Sequence, residues 1–268
     1  MVSNLLVDDV TELIDTACAD VKEELLVVDP AADTVNEIVE TAINRDDLPR
    51  LSLLVDERTL KDVTREFLVA SRTADLVADG SLSIRLLPES VDNTLFVSDS
   101  RVLAVVAAGE RVGALATDDA EFVTEVAETY RRTFADAEAY ELRTPAISRV
   151  RETLDAEIGE ETRADFDAVL AALDADGSTL DEVTVSLLVA AKNDVLLYDI
   201  SKWGEDVGIA SKATFSRTKT RLEDLGIIDT EKVPIDVGRP RLRLKLGDDR
   251  LVGVDTDEFA AVADDLVA

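Results

Sequence analysis

Histidine is absent from this chain, and cysteine, methionine and tryptophan occur once each. Without an imidazole there is no His-based general base, no Ser-His-Asp triad and no histidine metal ligand. The lone Cys18 excludes an intramolecular disulfide and a multi-cysteine zinc site. It falls on an apolar helical stripe and reads as a small core residue rather than a nucleophile. Neither a Walker A nor a G-x-G-x-x-G sequence occurs, which leaves nucleotide hydrolysis without support and no cofactor expected. No stretch approaches ~18 uninterrupted apolar residues, and MVSNLLVDD lacks a basic region followed by an apolar run. These absences predict a soluble, cytoplasmic protein with no membrane partner.

Positive charge is scarce as well. Lysine and arginine number 28 against 58 aspartates and glutamates, a net charge of −30. The acid is scattered singly through amphipathic segments, so it describes a solvated surface rather than an acidic tail. Such a surface suits a cytoplasm of very high salt, where screening removes most of the self-repulsion. An acidic mesophile protein is the competing explanation, weaker because the acid covers nearly every helix. Over 268 residues, a hydrophobic content of 46% suffices for one large or two ordinary domains.

Against this background the run SKATFSRTKTR at 211–221 holds four basic residues and no acidic one. Residues 201–246 carry 10 basic and 7 acidic side chains, a net of +3, while the remainder carries 18 and 51, a net of −33. A surface kept clear of carboxylates over about three helical turns is the footprint of something that approaches phosphate.

Read from the N-terminus, Leu6, Val10, Leu13, Ile14, Ala17 and Val21 fall on one face of a first helix. Strand-like runs at 24–29, 51–56 and 82–87 alternate with helical segments at 34–43, 57–70 and near 74, implying βαβ units and a mostly parallel sheet. Short strands at 94–98, 101–107 and 111–117 then form a meander. A helix follows with Phe122, Val126, Tyr130 and Phe134 at four-residue steps. Two amphipathic segments run to about Leu173, and DADGS at 174–178 reads as a linker. The expected organisation is an α/β effector-sensing and dimerisation domain at 1–142, a helical linker at 143–178, a DNA-binding domain at 179–247 and a C-terminal helix at 248–268.

The C-terminal region is the most legible. Helices at 180–193, from Asp199 as N-cap, and at 212–225 precede two strands at 227–233 and 241–246. GIAS at 208–211 is the turn, Phe215, Thr218, Leu222 and Leu225 are the expected buried stripe, and Gly226 closes the last helix. Two helices across a short turn followed by a hairpin are the pattern of a winged helix-turn-helix. Its recognition helix presents Ser216, Arg217, Thr220 and Arg221, with Lys212 and Lys219 on the flank, and Ser211 and Thr214 near the free N–H groups of its start. RLRLKL alternates, placing Leu242, Leu244 and Leu246 inward and Arg241, Arg243 and Lys245 outward. At the wing tip, GRPR holds Arg239 on a turn narrow enough for a minor groove. Taken singly, a basic helix face is often only solvated and a basic strand can merely blunt a sheet edge; a winged helix that docks protein is the third reading.

Across LLVAAKNDVLLYDISKWGEDVGIASKATFSRTKTRLEDLGIIDTEKVPIDVGRPRLRLKL the chain resembles the TbsP-type transcriptional regulators of haloarchaea, and the resemblance extends to LLVDERTLKDV and RTPAISRVRETLDAEIGEET. It implies a regulator, a repressor in our reading, that binds promoter DNA and controls genes of central carbon and sugar metabolism. More loosely, the N-terminal order of elements, with VDNTLFVSDSRVLAVVAAGERVGALATDD and TYRRTFADAE, resembles the phospholipase-D-like effector domain of TrmB-type regulators. That implies a mixed-sheet sensor and dimerisation platform without the catalytic His-Lys motif, hence a homodimer and no enzyme.

A ligand of such a domain is expected at the carboxyl ends of the parallel strands, near Asp29, Asp56, Arg58, Thr59 and Lys61. Arg58 and Lys61, three apart at a helix start, suit an anion such as a sugar phosphate. Equally, Glu57 can cap the helix dipole while Arg58 and Lys61 are surface charge. The alternative of a different class is a Mg²⁺-dependent phosphodiesterase or sugar-phosphate enzyme using Asp29, Asp56 and Glu57.

Overall fold

Period-two patterning in the first half of the chain becomes a seven-stranded mixed sheet. The computed structural model describes residues 3–7, 10–19, 21–45, 47–108, 111–176, 180–234 and 240–267. Its strands are β1 (Ser3–Val7), β2 (Glu24–Val28), β3 (Arg50–Val55), β4 (Leu82–Leu86), β5 (Leu95–Val97), β6 (Val102–Ala108) and β7 (Arg111–Thr117), in spatial order β1-β7-β6-β5-β2-β3-β4. Only β2, β3 and β4 run parallel; the other pairings are antiparallel, so the sheet is mixed rather than mostly parallel.

Alternate residues serve opposite faces. Leu25, Val27, Leu51, Leu53 and Val55 join Leu13, Ile14, Val35, Ile38, Leu60 and Leu76 from α1 (Val10–Cys18), α2 (Ala32–Ile43), α3 (Glu57–Val63) and the neighbouring α4 (Phe67–Ala78). Leu26, Val28, Leu54, Val97 and Val102 meet Val123 and Ala127 of α5 (Ala120–Asp136). One helix cannot cover a face of seven strands. Val106, Leu115 and Phe122 therefore stay about half exposed, and Leu115, Phe122 and Tyr130 line a groove of about 390 Å³ between α5 and the β6–β7 end of the sheet.

The first helix is shorter than its apolar spacing predicted. Leu6 belongs to β1, which pairs antiparallel with β7, and Val21 lies beyond α1. A short apolar run such as SNLLV does not distinguish strand from helix by periodicity, and a long-range partner decides it. Cys18 is buried, as expected of a core residue, and that burial pushes its thiol up to about 11.

The chain divides into two compact units, Met1–Leu142 and Arg143–Ala268. The second comprises α6 (Ile147–Glu157), α7 (Glu160–Asp176), α8 (Glu182–Lys192), α9 (Leu197–Val207), α10 (Lys212–Asp224), β8 (Ile228–Val233), β9 (Arg241–Leu246), a 3₁₀ turn at Asp249–Leu251 and α11 (Thr256–Val267). At its centre lies α8, buried at every position from Val183 to Ala191. Against it packs α7, burying Phe166, Val169 and Leu170, while α6 buries Ile147, Val150 and Leu154 beside α7 and α9, and α11 buries Phe259, Ala260 and Ala263 beside α7.

The segment expected as a helical linker holds two helices, Ile147–Glu157 and Glu160–Asp176, that pack into the second unit rather than joining two units. Phe166 of α7 meets Trp203 edge-to-face at 6.4 Å, the Trp203 indole N–H donates to Thr153 Oγ1 at 3.0 Å, and Asp165 accepts from Lys192 at 2.7 Å and Asn193 at 2.8 Å. The apolar stripes of both helices are core of the second unit, and α7 continues through Asp176 of the DADGS run; Gly177 and Ser178 lie outside the described residues. Among the described residues no helix is long and apolar enough to cross a membrane.

Candidate nucleic-acid interface

Glycine ends α9 and serine starts α10. Gly208 adopts φ 99°, a left-handed conformation that disfavours a side chain, and Ile209 N–H donates back to Gly204 O at 2.8 Å. Three residues later Ser211 Oγ accepts the N–H of Thr214 at 3.2 Å, the expected N-cap of α10. Only Phe215 and Leu222 of α10 are buried. Phe215 lies so close to the backbone of α9 that a Cβ on Gly204 would sit 2.3 Å from Phe215 Cζ. At the far end Gly226, φ 72°, donates to Glu223 O at 2.9 Å while Ile227 donates to Leu222 O at 3.0 Å, turning the chain into β8.

β8 and β9 pair antiparallel over six residues each. On the other edge of β9, Leu196 bridges Arg243, and Leu244 N–H donates to Val195 O at 2.9 Å. Three helices, a turn and a hairpin edged by this short third segment make a winged helix-turn-helix. Some expected details shift. Asp199 is not the N-cap of α9; that position is Leu196, held by its bridge to β9, and Asp199 lies in the first turn with its carboxylate toward Arg241. Leu225 is 48% exposed because it is the C-cap, and Thr218 is half-buried; the α10 stripe is narrower than its sequence spacing implied.

On α10, Ser211, Lys212, Ser216, Arg217, Thr220 and Arg221 are exposed and Thr214 is half-buried. Arg217 donates to Thr214 Oγ1 at 3.3 Å, Thr220 Oγ1 to Ser216 O at 3.1 Å and Arg221 to Val267 O at 3.3 Å. Most other cations face carboxylates. Lys212 Nζ lies 2.7 Å from Glu205, and this hydrogen bond raises the lysine's pKa while lowering that of the glutamate. Lys219, expected on the flank, has a side chain only 13% exposed, 2.5 Å from Glu223. Arg241 stacks 4.6 Å above the Tyr198 ring and lies 3.4 Å from Asp199. Arg243 lies 3.9 Å from Glu231, and Lys245 lies 2.6 Å from Asp194. Arg239 and the tip around it fall outside the described residues.

Tyr198 and these acidic partners were missed by sequence reasoning. Lys219 and Glu223, four apart on one helix, were a legible pairing signal. Glu205 and Lys212 stand on different helices across the turn and were not.

The family models settle the wider identity. That for the TbsP-like C-terminal helix-turn-helix domain matches residues 146–264, and that for the TbsP-like N-terminal domain matches residues 2–145. This chain belongs to the TbsP-like transcriptional regulators. A TbsP-like regulator thus carries its DNA-binding domain in the second unit. No curated protein matches.

Solved structures resembling the chain include TrmBL2, described as an archaeal chromatin protein with a novel mode of DNA binding, at 17% identity and TM-score 0.39 over 52% of this chain and 54% of that one. The chain therefore spans about half the length of that neighbour. Nuc, a phospholipase D family member from Salmonella typhimurium, is 12% identical with TM-score 0.36 over 53% of this chain and 98% of that one. NucT from Helicobacter pylori is 11% identical with TM-score 0.36 over 52% and 99%. Likenesses this distant carry no functional inference.

At the strand ends of this TbsP-like chain, Asp29 and Asp56 each hold backbone groups. Asp29 adopts φ 52°, and its carboxylate accepts Val91 N–H at 2.9 Å while its carbonyl accepts Thr94 Oγ1 at 2.7 Å, tying down residues 87–94. Asp56 caps α3, accepting the N–H of Arg58 at 2.9 Å and of Thr59 at 3.1 Å. Burial pushes the Asp56 carboxyl up, but the hydrogen bonds from Thr59 and Arg58 outweigh it and hold the group below its ordinary value. Lys61 pairs with Glu57 at 2.6 Å, while Arg58 is exposed. Among the described residues no group of three or more acidic or cysteine side chains is placed to hold a metal ion.

Proposed function

We propose that this TbsP-like regulator recognises operator DNA in a sequence-specific manner, laying α10 in the major groove and the β8–β9 wing along the neighbouring backbone. The observation that carries the reading is the exposed row Ser216, Arg217 and Thr220 on a helix held to its domain by only two buried side chains. Arginine forks onto the O6 and N7 of guanine, and hydroxyls reach base edges or phosphates. Arg217→Ala should weaken operator binding by roughly 1–3 kcal/mol if the guanidinium reads a base. Folding should persist, since Arg217 is exposed. Unchanged affinity in a gel shift, on duplexes selected by the wild type, would remove α10 from the interface.

The finer proposal is a homodimeric repressor of central carbon and sugar metabolism genes in a salt-rich cytoplasm. Helix-turn-helix proteins meet two-fold operators as two-fold dimers, and the uncharged groove at Leu115 and Phe122 is the surface offered for pairing. Control by a phosphorylated sugar near Arg58 and Lys61 is part of the same proposal and rests on the sequence resemblance and those cations. Light scattering of Leu115→Glu, and calorimetry with glycolytic phosphates, test the two additions separately.

A further inference from the structure

The recognition surface is already occupied by anions from its own chain. Of seven described cations on α10 and β9, five have a carboxylate within 4.0 Å: Lys212, Lys219, Arg241, Arg243 and Lys245. Arg221 instead donates to a backbone carbonyl, and Arg217, among the described residues, donates to the hydroxyl of Thr214. The best placed of the carboxylates is Glu205, whose Oε2 accepts from Lys212 Nζ at 2.7 Å while Oε1 accepts the backbone N–H of Lys212 at 3.2 Å. It thereby engages both the charge and the first amide of α10, the two features that would attract a phosphate. At the wing, Asp199 holds the Arg241 guanidinium against Tyr198. Both pairs are about 40% exposed, so a DNA backbone can reach them.

A phosphate arriving at Lys212 or Arg241 exchanges one anion for another. The displaced carboxylate remains a few ångströms from the nucleic acid and repels it, so the gain that each cation normally makes from the backbone is reduced. Backbone attraction is the same for every sequence, whereas base-edge contacts differ between sequences. Suppressing the first leaves discrimination to Arg217 and its hydroxyl neighbours. We infer that Glu205 and Asp199 are specificity-determining residues, carboxylates that mask the backbone-binding cations of this surface so that base contacts decide where the regulator stays.

This inference rests on the DNA-binding reading above, and the experiment separates the two. Wild type, Glu205→Gln/Asp199→Asn and a control of equal charge change in the other unit, Glu121→Gln/Glu128→Gln, are titrated with a random-sequence 30-bp duplex and with the duplex that wild type selects from a random library. The double variant at the interface should bind the random duplex about tenfold more tightly, and its plot of log affinity against log KCl should steepen by roughly 0.9 for each phosphate gained. Affinity for the selected duplex should rise less, lowering the discrimination ratio severalfold, while the control leaves that ratio unchanged. An unchanged ratio in the interface variant, or an equal fall in the control, overturns the mask while leaving the DNA reading intact. Failure of wild type to select any duplex overturns both.

Discussion

Two neighbouring helices of the second unit face opposite demands. α8 is buried at nine successive positions, its serine and threonine included, whereas α10, two residues longer, buries only Phe215 and Leu222. One helix is the core and the other is mounted on it. A helix apolar all round cannot form a stable surface, and one with two apolar contacts cannot form a core. The division lets the chain put most of its side-chain chemistry on α10 without sacrificing a folded domain.

The comparison can be broken most directly at the mounting. Phe215→Ala removes the larger of the two anchors and should lower unfolding free energy by about 3–5 kcal/mol, measured by urea denaturation in high KCl, with loss of DNA binding in parallel. A loss below 1 kcal/mol would mean that α10 is held by something other than its apolar contacts. Gly204→Ala sharpens the same point from the other side, since the new methyl falls 2.3 Å from the Phe215 ring. Overpacking of this kind costs about 1–3 kcal/mol. A compensating gain in the Gly204→Ala/Phe215→Leu double variant would locate the strain at this contact.

The smallest effect is electrostatic. Hydrogen bonding from Lys212 holds the Glu205 carboxyl below its ordinary 4.5. A lowered carboxylate contributes stability that is fully present above its unfolded pKa and is lost as pH falls through the folded one. Acidification from pH 7 to pH 5 should therefore leave the pair intact, and its loss should begin only below about 4.5, the ordinary value. The side-chain carbon resonance of Glu205 reports this directly, and a midpoint at or above the ordinary value would refute the pairing.

Much of the second unit was legible because its signals are local. Ser211 as N-cap, Gly226 as terminator and the Gly208 turn each depend on residues within a few positions of one another, whereas the expected alternation of RLRLKL buries only Leu244 and leaves Leu242 and Leu246 half-buried like the basic residues between them. Where the reading went astray, the deciding partner was distant. β1 is a strand because β7 lies beside it, α6 and α7 are core because α8 and α9 cover them, and Leu196 opens α9 because β9 pairs with it. On α10 the basic residue types were readable, but their carboxylate partners were not, since Glu205 and Lys212 meet across a turn whose geometry the sequence does not display. At the strand ends the backbone-holding roles were hidden for a related reason. Asp29 and Asp56 hold backbone N–H groups, a task that leaves no distinctive pattern in composition or spacing.

The bridge between Leu196 and Arg243 sets a distance. One residue begins α9 and edges the wing, which ties β9 to the helix pair that carries α10. If α10 enters the major groove as proposed, the gap between it and the β8–β9 hairpin is set by this tie before DNA arrives. A duplex whose local groove width does not match that gap must deform to fit, at an energy that depends on its sequence. On the proposed docking the fold would act as a calliper, gauging the shape of the double helix at base pairs it never touches.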